Sequence, residues 1–343
     1  MKISIDATYS TGRDLSGVGV YSRELMEALA AAHQEARFLW CYRLHRLARG
    51  LREPHPGNTG RRPLLDWLAP PGDLFHGLNQ RLPRRRARRT VCTFHDLFVL
   101  TGDYSTPEFR ARFAEQARHA AAEADRIIAV SGFTALQVEE LLGVERSRIR
   151  VVHHGVRALP RPEGTAREKV ILHVGAVQKR KNIARLVEAF EQAGSGWRLV
   201  LAGSAGYGAE EILARIENSP ARERILTPGY VSAGELARWY GRAAVFAFPS
   251  LDEGFGIPVL EAMAAGAAVL GSARAAIPEV AGDAALLVNP EDTGDMAAAL
   301  EKLIRDEPFR RELGEKGRRR AAEFTWERAA TATWSVYAEL LAS

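Results

Sequence analysis

The sequence predicts an α/β protein made of two doubly wound, Rossmann-like domains. Three observations point there. Short apolar runs alternate with longer stretches of helical periodicity along all 343 residues, as chains of βα units do. The apolar runs are nearly continuous, which suits strands of a parallel sheet buried on both faces. A stretch without periodicity, "RALPRPEGTAREK" at 157–169, holds two prolines and a glycine near the middle of the chain and reads as a linker.

In order along the chain, the first domain (1–165) is expected to place strands at Ile3–Ala7, Arg37–Tyr42, Leu74–Leu78, Thr90–His95, Arg126–Val130 and Arg150–His153. Helical periodicity falls at Gly19–Ala32, Pro107–Ala124 and Thr134–Leu142. After a hinge near Pro160–Ala166, the second domain (166–325) has strands in "KVILHVGA", "WRLVLAGS", "RILTPGYV", "AAVFAFPS", "AAVLGSA" and "DAALLVN". The last helix, Trp326–Leu341, has no strand after it, so segment 326–343 is expected to pack back on the first domain. Ligands of such folds bind outside the carboxyl ends of the strands, and two domains facing each other would form a cleft there.

Composition is globular, 46% hydrophobic and 26% charged. Cys41 and Cys92 lie far apart in no ligand spacing, and Cys92 reads as a buried free thiol in a reducing compartment. The start, "MKISIDATYS", lacks a signal peptide's apolar core and cleavage site. No run approaches the roughly 18 apolar residues that suggest a membrane span. A soluble, cytoplasmic protein is the expectation. Residues 1–165 carry 25 basic against 18 acidic side chains, and 166–343 carry 22 against 24. The basic excess therefore belongs to the first domain. Much of it is "RLPRRRARRT", with Arg81, Arg84, Arg85, Arg86, Arg88 and Arg89 inside nine positions. Such a run is either a solvated loop or an attractor for an anionic membrane face or a phosphate-bearing acceptor. No aromatic interleaving accompanies it, so nucleic acid is not expected.

The most informative stretch is "DEGFGIPVLEAMAAG", 252–266. It follows a buried strand; Pro258 suits the first turn of a helix, and Gly266 suits the residue just past its end. Amides of Gly256 and Ile257 at the helix start favour an anion, and Gly254 and Gly256 admit close backbone approach. Glu261, one turn in, can accept hydrogen bonds from a ribose diol, and Glu253, in the turn, can hold a sugar hydroxyl.

The string P-S-x-x-E-G-F-G-x-P-x-x-E-A-M, with "GYVSAGELARWYGRAAVFAFPS" before it and "IPEVAGDAALLVNPED" after it, resembles the retaining glycosyltransferases of family 4, which have the GT-B fold. The resemblance covers nearly the whole chain and is densest from Val170 to Asp292. It implies an N-terminal acceptor-binding domain and a C-terminal nucleotide-sugar domain, with Glu253 near the sugar, Glu261 on the ribose, and the 254–257 backbone (Phe255 included) in the donor site. "LHVGAVQKRKNIARLVEAF" resembles that family's G-x-x-x-x-R-K-N turn. Gly175 opens it, and Arg180 and Lys181 fall on its phosphate-binding positions, where cations can meet charge developing on a leaving diphosphate. Many relatives carry Arg where this chain has Ala176, which bears on the share carried by Lys179.

Gly17 and Gly19 in "SGVGVYSREL" form a lone G-x-G, and Ser22 breaks a dinucleotide fingerprint. The family has a similar glycine turn reaching donor phosphates or acceptor; a plain helix-start turn is the other reading. "TVCTFHDL" puts His95 and Asp96 at a strand end. Relatives have a similar pair facing the transferred sugar, which implies a place for His95 in the catalytic cleft. "VVHHGV" has His154 where relatives more often have Asn. In "TPGYVS", the backbone of Tyr230 and Val231 sits where relatives hold the nucleotide base.

There is no Asp-x-Asp and no His/Cys ligand cluster in the sequence, so no metal and no resident cofactor are expected. The overall expectation is a retaining hexosyltransferase with a nucleoside diphosphate sugar as donor and a saccharide or lipid-linked saccharide as acceptor. The wording most resembles bacterial mannosyltransferases of O-antigen and exopolysaccharide assembly, which implies GDP-mannose. A UDP-sugar enzyme of the same fold is the alternative; a nicotinamide oxidoreductase or a non-catalytic saccharide-binding relative is more distant. The arginine run adds an expected peripheral contact with the inner face of the cytoplasmic membrane.

Overall fold

A computed structural model describes residues 1–12, 15–157 and 166–342. The described chain forms two compact units: Met1–Thr101 with Pro107–Gly155 and Phe324–Ser343, and Gly102–Thr106 with Val156–Glu323.

The first unit is built on a seven-stranded parallel sheet ordered β3-β2-β1-β4-β5-β6-β7. The strands are β1 (Lys2–Asp6), β2 (Arg37–Arg43), β3 (Thr59–Leu64), β4 (Leu74–Gly77), β5 (Thr90–Phe94), β6 (Arg126–Ala129) and β7 (Ile149–Val151). The helices are α1 (Gly17–Ala32), α2 (Leu44–Gly50), α3 (Phe98–Thr101), α4 (Pro107–Glu123) and α5 (Gly132–Leu142). Strand order reverses between β1 and β4, the crevice where doubly wound sheets place ligands. Two expectations are corrected here. β3, "TGRRPL", was not expected, because its arginines and Pro63 do not read as a buried strand; it is an edge strand paired only with β2, where proline is tolerated. α2 was not expected either, being a single short basic segment.

The second unit has a six-stranded parallel sheet ordered β10-β9-β8-β11-β12-β13. Its strands are β8 (Glu168–Val174), β9 (Arg198–Ala202), β10 (Ile225–Gly229), β11 (Ala243–Phe248), β12 (Ala268–Ser272) and β13 (Ala285–Val288). Between and after them run α6 (Ile183–Ala193), α7 (Ala209–Glu217), α8 (Ala233–Arg242), α9 (Ile257–Ala264), α10 (Ile277–Ala281), α11 (Thr293–Arg305) and α12 (Glu307–Ala321). Most of the 157–169 linker, including the hinge at Pro160–Ala166 up to Thr165, lies outside the described residues. Its last two residues, Glu168 and Lys169, open β8 instead of continuing a loop.

The final helix, α13 (Trp326–Ala342), belongs to the first unit. There Ala330, Val336, Tyr337 and Leu340 join Leu25, Met26 and Leu29 of α1 and Ile3 and Ile5 of β1 in one buried cluster. The Trp334 ring stacks on His33 at 3.6 Å.

Candidate functional site

In the second unit the carboxyl ends of β8 and β11 lie side by side, and their following loops are tied together. Gly175 leaves β8 at φ +150, where a Cβ would crowd the Lys181 stem at 3.3 Å. A Cβ on Gly203, after β9, would lie 1.9 Å from the Gly175 carbonyl oxygen. Only glycine lets these loops meet. A 3₁₀ turn, Lys179–Lys181, follows, and Asn182 (φ +58) starts α6. The Asn182 amide donates to the carbonyls of Pro249 (3.1 Å) and Pro290 (2.6 Å). Leu251 N–H donates to Arg180 O at 2.9 Å, and the Arg180 guanidinium to Asp252 O.

This frame brings Arg180, Lys181 and Glu253 together. Glu253 Oε1 lies 2.5 Å from Lys181 Nζ and 2.9 Å from Arg180 Nη1. All three are buried, Glu253 being 8% exposed. Burial on its own would raise the Glu253 carboxyl, but the charges of Arg180 and Lys181 outweigh it and hold the group down at about 2. The Lys181 ammonium also lies over the Phe248 ring, 4.6 Å from its centroid. Lys179 takes no part in this cluster: it is exposed and pairs with Glu211 at 3.0 Å.

The loop then turns through buried Gly254, Phe255 and Gly256. Gly256 stands at φ +110 as the N-cap of α9, and no side chain caps that helix start. Ile257 opens the helix and is partly exposed. Glu261, one turn in, is buried; Tyr240 of α8 donates to its Oε2 at 3.0 Å and Arg157 to its Oε1 at 3.4 Å. Desolvation raises the Glu261 carboxyl, opposed by Arg157 and Tyr240. Two of the four acceptor sites of a carboxylate are thereby used, so a diol could be received on the rest. Tyr230 is 56% exposed just beyond β10, the edge strand of this sheet, with Val231 partly exposed beside it.

His95, Gly17 and Gly19 lie in the other unit. Gly17 and Gly19 form the first turn of α1 and not a loop before it. The Gly19 amide is already taken by its N-cap, Ser16 Oγ, at 3.2 Å. A Cβ on Gly19 would meet Tyr9 O at 2.8 Å, so packing explains this glycine. Gly17 has open space around it. Tyr21, in the same helix, presents its ring to His95 at 4.6 Å, which joins the start of α1 to the end of β5. His95 Nε2 lies 2.8 Å from Leu78 O, and the His154 ring lies against it at 5.4 Å. Burial lowers the His95 pKa to about 4. At neutral pH the ring is uncharged, with its proton on Nε2 toward the carbonyl, so Nδ1 is the acceptor.

Sequence reasoning did not single out Asn182, Tyr240 or Arg157 as parts of this site. Asn182 had a usable signal, since asparagine at a helix start tolerates the left-handed region. Tyr240 and Arg157 had none, because their partner Glu261 is 21 and 104 residues away. Among the described residues no group of three or more His, Cys, Asp and Glu could hold a metal ion.

Comparison with known proteins gives a consistent picture. The family model described as "Glycosyl transferases group 1" matches residues 158–320, and "Glycosyltransferase Family 4" matches 70–158. The chain is 30% identical over 281 residues to the O-antigen chain mannosyltransferase B of Escherichia coli, covering 77% of this chain and 74% of that protein. It is likewise 30% identical to the E. coli serotype-specific mannosyltransferase WbdA, but spans only 34% of that protein's length. Among solved structures, sucrose-phosphate synthase from Thermosynechococcus elongatus superposes with a TM-score of 0.80 at 22% identity, over 100% of this chain and 99% of that one.

Proposed function

The chain belongs to the family 4 glycosyltransferases, enzymes of the GT-B fold, and from that premise we propose that it transfers mannose from GDP-mannose, with retention, to a saccharide or lipid-linked oligosaccharide acceptor in cell-surface polysaccharide biosynthesis. The observation that carries this reading is the carboxylate of Glu253 held between Arg180 and Lys181 beside the uncapped start of α9. Buried cations and the Gly256 and Ile257 amides at a strand's carboxyl end are suited to a diphosphate. The mannosyltransferase relatives at 30% identity support the choice of sugar.

In the proposed reaction the bond from the sugar C1 to the diphosphate oxygen breaks while a bond to an acceptor oxygen forms on the same face. Arg180 and Lys181 take up the charge that grows on the diphosphate, and no metal or resident cofactor is required. The acceptor hydroxyl's proton passes to the departing phosphate oxygen. Glu253 fixes both cations and offers its second oxygen to the sugar; Glu261 receives the ribose diol. Neutral His95 accepts a hydrogen bond from a sugar hydroxyl through Nδ1. The Tyr230–Val231 backbone meets the base. Acceptors carried on lipid diphosphates would bring the enzyme to the anionic inner face of the cytoplasmic membrane, with a peripheral contact through Arg81–Arg89.

The test is a thermal-shift comparison of GDP and UDP followed by transfer from GDP-mannose with the product anomer assigned by NMR. A nucleotide at 100 times its dissociation constant stabilises by about 2.7 kcal/mol. Preferential stabilisation by UDP, or transfer only from UDP-sugars, replaces the donor assignment; an inverted product overturns the stereochemistry.

A further inference from the structure

Two successive strand connections in the first unit carry no helix: residues 65–73 between β3 and β4, and 78–89 between β4 and β5. Both are nonetheless pinned. The Asp66 carboxylate takes Arg43 Nη1 at 2.7 Å, and its carbonyl takes the Arg85 N–H at 3.2 Å. Asp73, at the far end, accepts from Lys2 N–H at 2.9 Å. In the second loop Leu82, Pro83 and Ala87 are buried.

On this fixed ground the next two side chains, Trp67 and Leu68, are 69% and 60% exposed. Scattered apolar side chains are ordinary on a surface, but an adjacent, held tryptophan and leucine next to cations form a patch that wants a partner. The arginine run sorts itself around them. Arg86 pairs with Asp125 at 2.5 Å and Arg88 reaches Asp73 at 4.0 Å. Arg84 and Arg85 are exposed and, among the described residues, have no acidic partner. The Arg85–Asp66 backbone bond places this cationic pair beside the Trp67–Leu68 tip.

We propose that Trp67 and Leu68, flanked by Arg84 and Arg85, are the surface by which the first unit docks on an anionic phospholipid bilayer. A bilayer interface supplies both things this patch lacks: an acyl boundary for an amphipathic indole and its neighbouring leucine, and a layer of phosphates for two unpaired guanidinium groups. The proposal rests on the membrane-side reading above and deepens it, because the apolar tip and the division of the run into paired and free arginines are not visible in the run itself.

The experiment uses the full chain, sedimented with vesicles of phosphatidylglycerol and phosphatidylcholine or of phosphatidylcholine alone. The parent should bind the anionic vesicles and lose binding as salt rises. R84Q/R85Q should weaken that binding by about 25-fold, some fivefold for each cation, and flatten its salt dependence. W67S/L68S should weaken it by about tenfold while leaving the salt dependence in place. Both variants should transfer sugar to a soluble, uncharged acceptor at the parent rate. Equal sedimentation of parent and both variants overturns the proposal, as does parent binding that ignores lipid charge. A shift from dimer to monomer in W67S/L68S would assign the patch to a second copy of the chain instead. Loss of sugar transfer by the parent would count against the donor reading alone, because sedimentation is measured without donor.

Discussion

Glu253→Gln removes one charge and almost no volume, so its effect isolates the electrostatics of the Arg180–Lys181–Glu253 cluster. Arg180 and Lys181 hold the carboxyl down at about 2 in the fold, against an ordinary value of 4.5. At about 1.4 kcal/mol per pKa unit, that depression corresponds to a stabilisation on the order of 3 kcal/mol at neutral pH. A separate route agrees: removing one partner of a buried pair costs about 3–5 kcal/mol, because the remaining charge stays desolvated. Since the folded pKa lies below the unfolded one, this stability is fully present above pH 4.5 and is lost as pH falls toward 2. Urea unfolding followed by tryptophan fluorescence should therefore find the variant about 3 kcal/mol less stable at pH 7, with the gap narrowing at pH 3.5. Other titrations do not blur the comparison, because parent and variant share them. Equal stability at pH 7, or a gap that is unchanged at pH 3.5, would refute the reasoning.

Four desolvated histidines, His76, His95, His154 and His173, act in a different window. Burial lowers His76 to about 3 and His95 and His173 to about 4, so unfolding takes up protons below pH 6.5, and stability should fall toward pH 4 by up to about 1.4 kcal/mol per unit for each; a flat profile between pH 6.5 and 5 by calorimetry would contradict this. Glu261→Ala should weaken nucleoside diphosphate binding by about 1.5–3 kcal/mol, the range for a charged hydrogen-bond partner. The deoxyribose analogue should lose less further affinity in the variant than in the parent, and unchanged titration calorimetry would remove Glu261 from the ribose. Arg180→Ala or Lys181→Ala should lower turnover of donor more than affinity for it, because cations matter most as the diphosphate departs. Equal losses for nucleoside and nucleoside diphosphate would show that these side chains do not meet phosphate.

The sheets were legible because a doubly buried parallel strand must be apolar nearly throughout. All six expected strands of the second unit are present, each within a residue or two of its expected bounds. β3 escaped for the converse reason: at an edge, one side of the strand meets solvent, so "TGRRPL" can carry two arginines and a proline and still pair along its whole length with β2. The composition of an edge strand reports its surroundings, which sequence periodicity does not contain.

The site divides along the same line. The 252–266 stretch was readable because its glycines, its proline and its two glutamates act over one turn and one helix start, where spacing along the chain is spacing in space. The charge state of Glu253 was not readable, since Lys181 lies 72 residues earlier and reaches it only because β8 and β11 are neighbours in the sheet. Topology thus places two basic residues around a buried counter-charge that their own turn does not reveal, and the same operation turns part of the arginine run into ion pairs with Asp125 and Asp73. The fold therefore decides which cations are paired: Arg180 and Lys181 meet the buried carboxylate of Glu253, whereas Arg84 and Arg85, exposed on their loop, meet none among the described residues.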